Sequence, residues 1–147
     1  MIAALVAPFV VQAAVMFVDE RVYHRRRGLP RYERIGHPID TLSAALCYAW
    51  LVFARPTRAH ACAYAAIAIV SALVVTKDEP IHARACSPGE HWVHALLFML
   101  HPIVLGAAAY VWWTGRLRAL LVAELALTIA FAAYQLAYWN GPWRRAA

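Results

Sequence analysis

The sequence predicts an all-α integral membrane protein, a bundle of about five transmembrane helices. Hydrophobic residues make up 63% of the 147 positions and charged residues only 15%, whereas soluble domains have about 45–50% and about 25%. The hydrophobic residues occur in five runs, without the alternation of apolar and polar residues that a transmembrane β-barrel requires. A chain of this length forms one domain, covering residues 1–147.

The five runs set the predicted helix boundaries. A helix needs about 20 apolar residues to cross a bilayer, with a range of about 17–25, so the second run is short for a span. Glycine and proline between the runs, as in Gly28-Leu-Pro30 and Gly36-His-Pro38, are typical of turns. The predicted helices are Ile2–Val18, about Ile39–Ala54, Ala59–Val75, about Trp92–Thr114 and Leu117–Trp139.

The basic residues predict the orientation of the bundle. The segments after the first, third and fifth helices contain ten Lys and Arg residues, and the opposite side contains four. By the positive-inside rule the richer side is cytoplasmic, which predicts a membrane protein with its C-terminus and polar loops in the cytoplasm. The net charge of +6 is then explained by anionic lipid headgroups, and no nucleic-acid partner is expected.

The chain has a weak internal repeat. Residues 1–55 and residues 56–115 each form a predicted helical hairpin, with Asp-Glu and a histidine where the chain leaves the membrane. Another acid and histidine follow in each half where the chain re-enters, and the helix at 117–139 is an addition. Two packed hairpins bring four polar clusters to one end of the bundle, the arrangement expected of a site between repeats.

These clusters predict a metal site. Residues three or four apart share a helix face, so each cluster offers carboxylate oxygens and imidazole nitrogens to a common point. Such donors suit iron, manganese or zinc, and Glu79-x-x-His82 has the spacing found in di-iron carboxylate bundles. There are enough donors for two metal ions, and the candidate ligands are Glu20, His24, His37, Asp40, Glu79, His82, Glu90, His91 and His94.

Three further residues are expected around the ligands, namely Asp19, Asp78 and His101. The two aspartates either support the ligands or pair with nearby Arg and Lys. His101 lies inside a membrane helix, where ionisable groups are costly and usually functional. It either extends the site inward or hydrogen-bonds a neighbouring helix, with Glu124 as one possible partner.

Other interpretations of the polar residues remain open. Ser87-Pro-Gly-Glu90 is a capping box, so Glu90 serves as a cap, a ligand or both. The whole cluster is alternatively a solvated cytoplasmic face, although its bias toward Asp, Glu, His and Arg is typical of ligands and the groups that support them. The chain lacks a Gly-rich phosphate loop, a Gly-x-Ser-x-Gly elbow and a His-Glu-x-x-His motif. The three cysteines match no zinc-finger or disulfide spacing and are expected to be reduced.

Two segments carry a family resemblance. They are Asp-Glu-x3-His-Arg-Arg-Arg-Gly-Leu-Pro-Arg-Tyr-Glu-Arg-Ile-Gly-His-Pro-Ile-Asp and Thr-Lys-Asp-Glu-x2-His-x3-Cys-Ser-Pro-Gly-Glu-His-Trp-Val-His. Both look like signatures of a small bacterial family of polytopic membrane proteins. In site placement the chain is also similar to membrane di-iron hydroxylases and desaturases, which carry histidine boxes at the cytoplasmic ends of helices. Their His-x3-His and His-x2-His-His boxes are absent here, so this second similarity covers placement only.

The leading functional hypothesis is a non-haem di-iron oxidoreductase that acts on a lipid or another membrane-soluble molecule. Two iron ions are the expected cofactor, with zinc as the alternative. The competing hypotheses are a zinc-dependent lipid hydrolase, a metal sensor or transporter, and a structural subunit without metal. Membrane lipid is an expected partner in each case, and oligomers or protein partners remain open.

Overall fold

The computed structural model describes residues 2–77 and 79–141, without the side chains of Ile81 and Ala85. Every regular element in these ranges is helical, which confirms the predicted all-α fold. Five helices are long and one is short. They are α1 (Ile2–Arg27), α2 (Arg31–Phe53), α3 (Arg58–Val74), α4 (Glu79–Ala85), α5 (Pro88–Thr114) and α6 (Arg118–Asn140).

Three of the described helices, α1, α5 and α6, are long and apolar enough to cross a membrane. Helix α3 is apolar but has only 17 residues. Helix α2 is long enough, but its first turns contain Arg31, Glu33 and Arg34. The lengths and composition of these helices are those of a helical membrane protein.

The predicted start of the second helix was wrong. Only residues 28–30 separate α1 from α2, and the expected turn at Gly36-His-Pro38 lies inside α2. Pro38 has no N–H to donate to the carbonyl of Arg34, which would ordinarily weaken the helix. The side-chain amide of Asn140 donates to that carbonyl instead, at 3.0 Å. The helix therefore continues through Pro38 because α6 replaces the missing hydrogen bond.

Helix α2 is the centre of the bundle. It packs closely along α6 and also contacts α3 and α5, whereas α1 packs mainly along α5. The apolar core includes Leu51, Val104 and Leu121, on α2, α5 and α6 respectively. These residues lie in the second half of α2 and α5 and the first half of α6, so the core fills one end of the bundle. The opposite end holds the polar residues of α1, α2, α4 and α5.

The predicted N-cap of α5 is confirmed. The hydroxyl of Ser87 accepts a hydrogen bond from the N–H of Glu90 at 3.4 Å, and Pro88 occupies the first turn. The side chain of Glu90 does not close the capping box and instead reaches Arg27 on α1. Capping thus fixes where α5 begins and leaves the Glu90 carboxylate for the interior.

We expect Leu51→Ala to destabilise the bundle by about 2–5 kcal/mol, because it opens a cavity beside a side chain that is 2% exposed. Leu46→Ala is the matched control, since Leu46 lies on the same helix and is 55% exposed. Thermal unfolding in detergent should show a large loss for Leu51→Ala and little change for Leu46→Ala. Equal losses would contradict the placement of the core.

Candidate metal centre

The polar end of α1 is wound as a π-helix over Asp19–His24, followed by a last α-helical turn at Arg25–Arg27. Residues five apart stand about 140° apart around an α-helix, but the i→i+5 bonding of a π-helix brings them to one side. Nε2 of His24 lies 3.2 Å from Oδ2 of Asp19, and its Nδ1 lies 3.4 Å from Oε2 of Glu20. One imidazole therefore faces two carboxylates of its own helix.

The first turns of α5 complete a four-residue group. Nε2 of His94 lies 3.1 Å from Oδ1 of Asp19, so the two oxygens of this aspartate face histidines on two helices. Glu90, one turn before His94, points to the same place. The four side chains are buried, and one donor atom from each lies within 4.8 Å of the others. This group consists of Asp19, His24, Glu90 and His94.

A second group adjoins the first. Glu33 and His37 lie one turn apart on α2, and His82 comes from α4; their donor atoms also lie within 4.8 Å of one another. Glu33 is fully buried, with Oε1 3.9 Å from Nε2 of His82. The rings of His82 and His94 have centroids 4.1 Å apart. The two groups are thus neighbours that α1, α2, α4 and α5 build together.

Arg27 lies between the two groups. Its guanidinium forms a forked pair with Glu33, at 2.6 and 3.3 Å, and its Nε donates to Oε1 of Glu90 at 3.1 Å. Asp19 and Glu20 are also buried, and they face imidazoles rather than this arginine. Two buried carboxylates thus share one arginine and two more face histidines. Burying charge is costly unless it is neutralised, so the cluster favours additional positive charge.

The histidines are suited to supply nitrogen donors. Burial, together with the neighbouring His24 and His82, holds the pKa of His37 well below its usual range, so its ring is neutral, the form that binds metals. Nδ1 of His94 is buried and makes no hydrogen bond within the described ranges. Buried nitrogens without hydrogen bonds are rare in proteins, and a divalent cation would satisfy them. The donor set therefore fits a metal centre.

Glu20 stands beside the first group and is held by α6. The hydroxyl of Tyr134 donates to Oε1 of Glu20 at 2.6 Å, and the indole N–H of Trp139 donates to it at 3.1 Å. Arg25 in turn donates to the Tyr134 hydroxyl at 3.1 Å. This network fixes the Glu20 carboxylate next to His24 and connects it to the exposed guanidinium of Arg25.

The cluster forms the polar end of a cavity of about 720 Å³. Its walls come largely from α1, α2, α5 and α6. From Asp19 to Phe9 the cavity follows α1 for about 15 Å, at 1.5 Å per residue, roughly half of a 30 Å hydrocarbon layer. Its apolar lining includes Phe9, Met16, Phe17, Leu97, Phe98 and Phe131, and its polar lining includes Asp19, Glu20, His24, His37, His82 and His94.

Five of the nine predicted ligands belong to the two groups, namely His24, His37, His82, Glu90 and His94. Glu20 lies beside them. The other three lie elsewhere: Asp40 pairs with Nζ of Lys77 at 2.6 Å, His91 contacts the carbonyl of His82 at 2.7 Å, and Glu79 is exposed. The predicted pairs Glu79/His82 and His91/His94 do not converge, because one member of each faces away from the cluster.

The residues expected around the ligands also have distinct positions. Asp19 belongs to the first group itself rather than to its surroundings. Nε2 of His101 lies 3.0 Å from the hydroxyl of Ser71, so His101 hydrogen-bonds a neighbouring helix; it lines the cavity, as does Glu124. Asp78 lies outside the described residues.

Sequence reasoning missed Glu33 and Cys86. Glu33 and His37 have the i, i+4 spacing of a ligand pair, but the predicted start of the second helix at Ile39 hid it. His82 and Cys86 also have this spacing, and with His94 they form a third group of donor atoms within 4.8 Å. Burial, with the nearby Glu90, raises the pKa of the Cys86 thiol to about 12.

No family model, curated protein or solved structure matches the chain. The fold and the cluster together define a class, an all-helical protein with membrane-length helices and a buried histidine–carboxylate cluster.

We expect Arg27→Met to destabilise the protein by about 3–5 kcal/mol, because it leaves Glu33 and Glu90 buried without a cation. Arg26→Met, next to it on an exposed position, is the control and should have little effect. Chemical unfolding of metal-free protein in detergent measures both. Adding Glu33→Gln to Arg27→Met should recover part of the loss, and no recovery would count against the charge argument.

Proposed function

We propose that this chain is a membrane-embedded metalloprotein, a non-haem di-iron oxidoreductase that acts on a lipid or another membrane-soluble molecule. The observation that carries the proposal is the convergence of four buried carboxylates, three buried histidines and one half-buried histidine at the polar end of one cavity. The carboxylates are Asp19, Glu20, Glu33 and Glu90, and the histidines are His24, His37, His82 and His94.

The donor set supports two metal ions of the iron type. Mixed carboxylate and imidazole ligation suits iron, and di-iron carboxylate bundles take such donors from several helices around a bundle core. Asp19, His24, Glu90 and His94 would hold one ion, and Glu33, His37 and His82 the other. Arg27 would hold the carboxylates of Glu33 and Glu90 in place beside the two ions.

The cavity supports a substrate from the lipid phase. Two of its walls are α1 and α6, both long enough to cross a membrane, and aromatic and aliphatic side chains line much of it. When bound, a pair of iron ions supplies redox chemistry with dioxygen at that end. The protein's own side chains would hold the substrate chain against the phenylalanines of the cavity. They would also hold protons near the polar end.

Glu20 and Tyr134 form a hydrogen-bonded path on which protons would be held. Glu20 accepts hydrogen bonds from Tyr134 and Trp139, and Tyr134 accepts one from the exposed Arg25. Since the guanidinium of Arg25 keeps its proton, the partly exposed Tyr134 hydroxyl would exchange protons with solvent directly and pass them to Oε1 of Glu20, beside His24. Proton transfer by positioned side chains of this kind is typical of metal-dependent oxidoreductases.

The placement of the protein in the cell is part of the proposal. The excess of Lys and Arg on the side of the cluster supports a cytoplasmic position for that end, in the inner membrane of a bacterium. Reductant would then reach the centre from the cytoplasm, and lipid substrate would enter from the inner leaflet.

We expect about two iron ions per chain in protein purified in mild detergent, the number that the two donor groups accommodate. His94→Ala should lose most of the metal, because His94 faces Asp19 in the first group. His60→Ala is the control, since His60 lies at the far end of the bundle and bonds the carbonyl of Arg55. Elemental mass spectrometry measures all three samples.

The possible outcomes separate the competing functions. Iron in the wild type and in His60→Ala, but not in His94→Ala, supports the proposal. Zinc in place of iron would favour a zinc-dependent lipid hydrolase. Protein without metal, even after reconstitution with ferrous iron, would overturn the proposal and favour a structural role.

We expect Ala13→Phe to block lipid binding without removing metal, because Ala13 lines the cavity and is not a member of any of the donor groups. Ala14→Phe is the matched control, as Ala14 is exposed and lies outside the cavity lining. Photolabelling with a diazirine fatty acid should fall severalfold in Ala13→Phe only, at unchanged metal content. Equal labelling of both variants would show that fatty chains bind elsewhere.

A further inference from the structure

Cys86 lies at the junction of α4 and α5, directly after α4 ends at Ala85. Its N–H donates to the carbonyl of His82 at 3.0 Å, so the helical turn continues through it. His82 and Cys86 therefore share one helix face, and His94 approaches them from the start of α5. The three donor atoms lie within 4.8 Å of one another, and both histidines are 4% exposed.

This third group overlaps the other two. His94 also belongs to the group of Asp19 and His24, and His82 belongs to the group of Glu33 and His37. Nε2 of His94 is engaged with Asp19, whereas its Nδ1 is buried and has no hydrogen-bond partner in the part of the chain that the structure describes. This nitrogen is a donor that the carboxylate arrangement leaves unused.

We propose that His82, Cys86 and His94 form a separate site for a thiophilic divalent ion such as Zn²⁺, and that an ion there excludes the iron ion of the second group, Glu33, His37 and His82. A thiolate selects zinc over iron, and two imidazoles with one thiolate leave a fourth position for water. The thiol releases its proton to solvent when Sγ binds the ion. The inference rests on the proposed function, because both concern the same histidines.

Exclusion follows from the shared ligands. A zinc ion on His82 takes one of the three members of the second group and leaves Glu33 with His37, whereas the first group keeps Asp19, His24 and Glu90. The remainder of the second group lacks the three protein ligands that a metal site ordinarily provides. Zinc would therefore act as an inhibitor of the iron-loaded protein, with Cys86 as the residue that confers the sensitivity.

Cobalt(II) in place of zinc gives a direct test in the full-length, metal-free protein. A cobalt–thiolate bond produces a strong near-ultraviolet charge-transfer band, whereas cobalt on histidine and carboxylate alone gives only weaker visible bands. We expect the near-ultraviolet band in the wild type and its loss in Cys86→Ser. Cys62→Ser should keep the band, because Cys62 is exposed on α3 and is in none of the three groups.

Displacement of iron provides a second readout. In the wild type, zinc should expel ferrous iron, and in Cys86→Ser the zinc concentration required should rise by tenfold or more. Circular dichroism and gel filtration establish that the variant is folded.

Three outcomes would overturn the inference. The first is a near-ultraviolet band that survives in Cys86→Ser. The second is a wild type that shows visible cobalt bands without the near-ultraviolet band. Each of these leaves the proposed iron centre intact. The third is no cobalt binding at all, which would overturn the inference and the proposed metal centre together.

Discussion

The burial of acidic side chains at one end of an apolar bundle is the constraint on which the rest of the structure depends. A carboxylate removed from water needs a cation, a hydrogen-bond donor or a proton. Here Arg27 is the cation for two of the carboxylates. Two more contact imidazoles or accept hydrogen bonds from the α6 side chains Tyr134 and Trp139. The helices are therefore joined by ionic and hydrogen-bonded contacts at this end and by apolar packing at the other.

The open cavity follows from this division. Helix α1 packs along α5, and Tyr134 and Trp139 of α6 hold it near its polar end by their hydrogen bonds to Glu20. Beyond Glu20, residues of both α1 and α6 line the cavity. The contacts that organise the cluster thus also form one end of the cavity.

The sequence predicted the fold class and the end of the bundle where the polar residues gather, because both depend on local composition. It did not predict that α2 runs through Pro38, since the compensating donor, Asn140, is about one hundred residues away in the chain. Because the second helix was predicted to begin too late in the chain, Glu33 was not among the candidate ligands. The sequence prediction also placed Glu79 and His91 in the cluster, because of their spacing alone. Spacing does not show which face of a helix is buried, since the neighbouring helices decide that. Asp19 was expected around the ligands rather than among them, because in a regular α-helix it would not lie on the same side as His24.

The π-helical turn places Asp19 and His24 on one side of α1 although they are five residues apart. In a chain with one residue fewer between them, the two side chains would be four residues apart, a spacing that shares a face of a regular α-helix. The acid–histidine pair is therefore compatible with either form of the helix. A search of other chains for this cluster should accept both Asp-x4-His and Asp-x3-His. An alignment gap of one residue at this point would mark the loss of the π-helical turn and not of the pair.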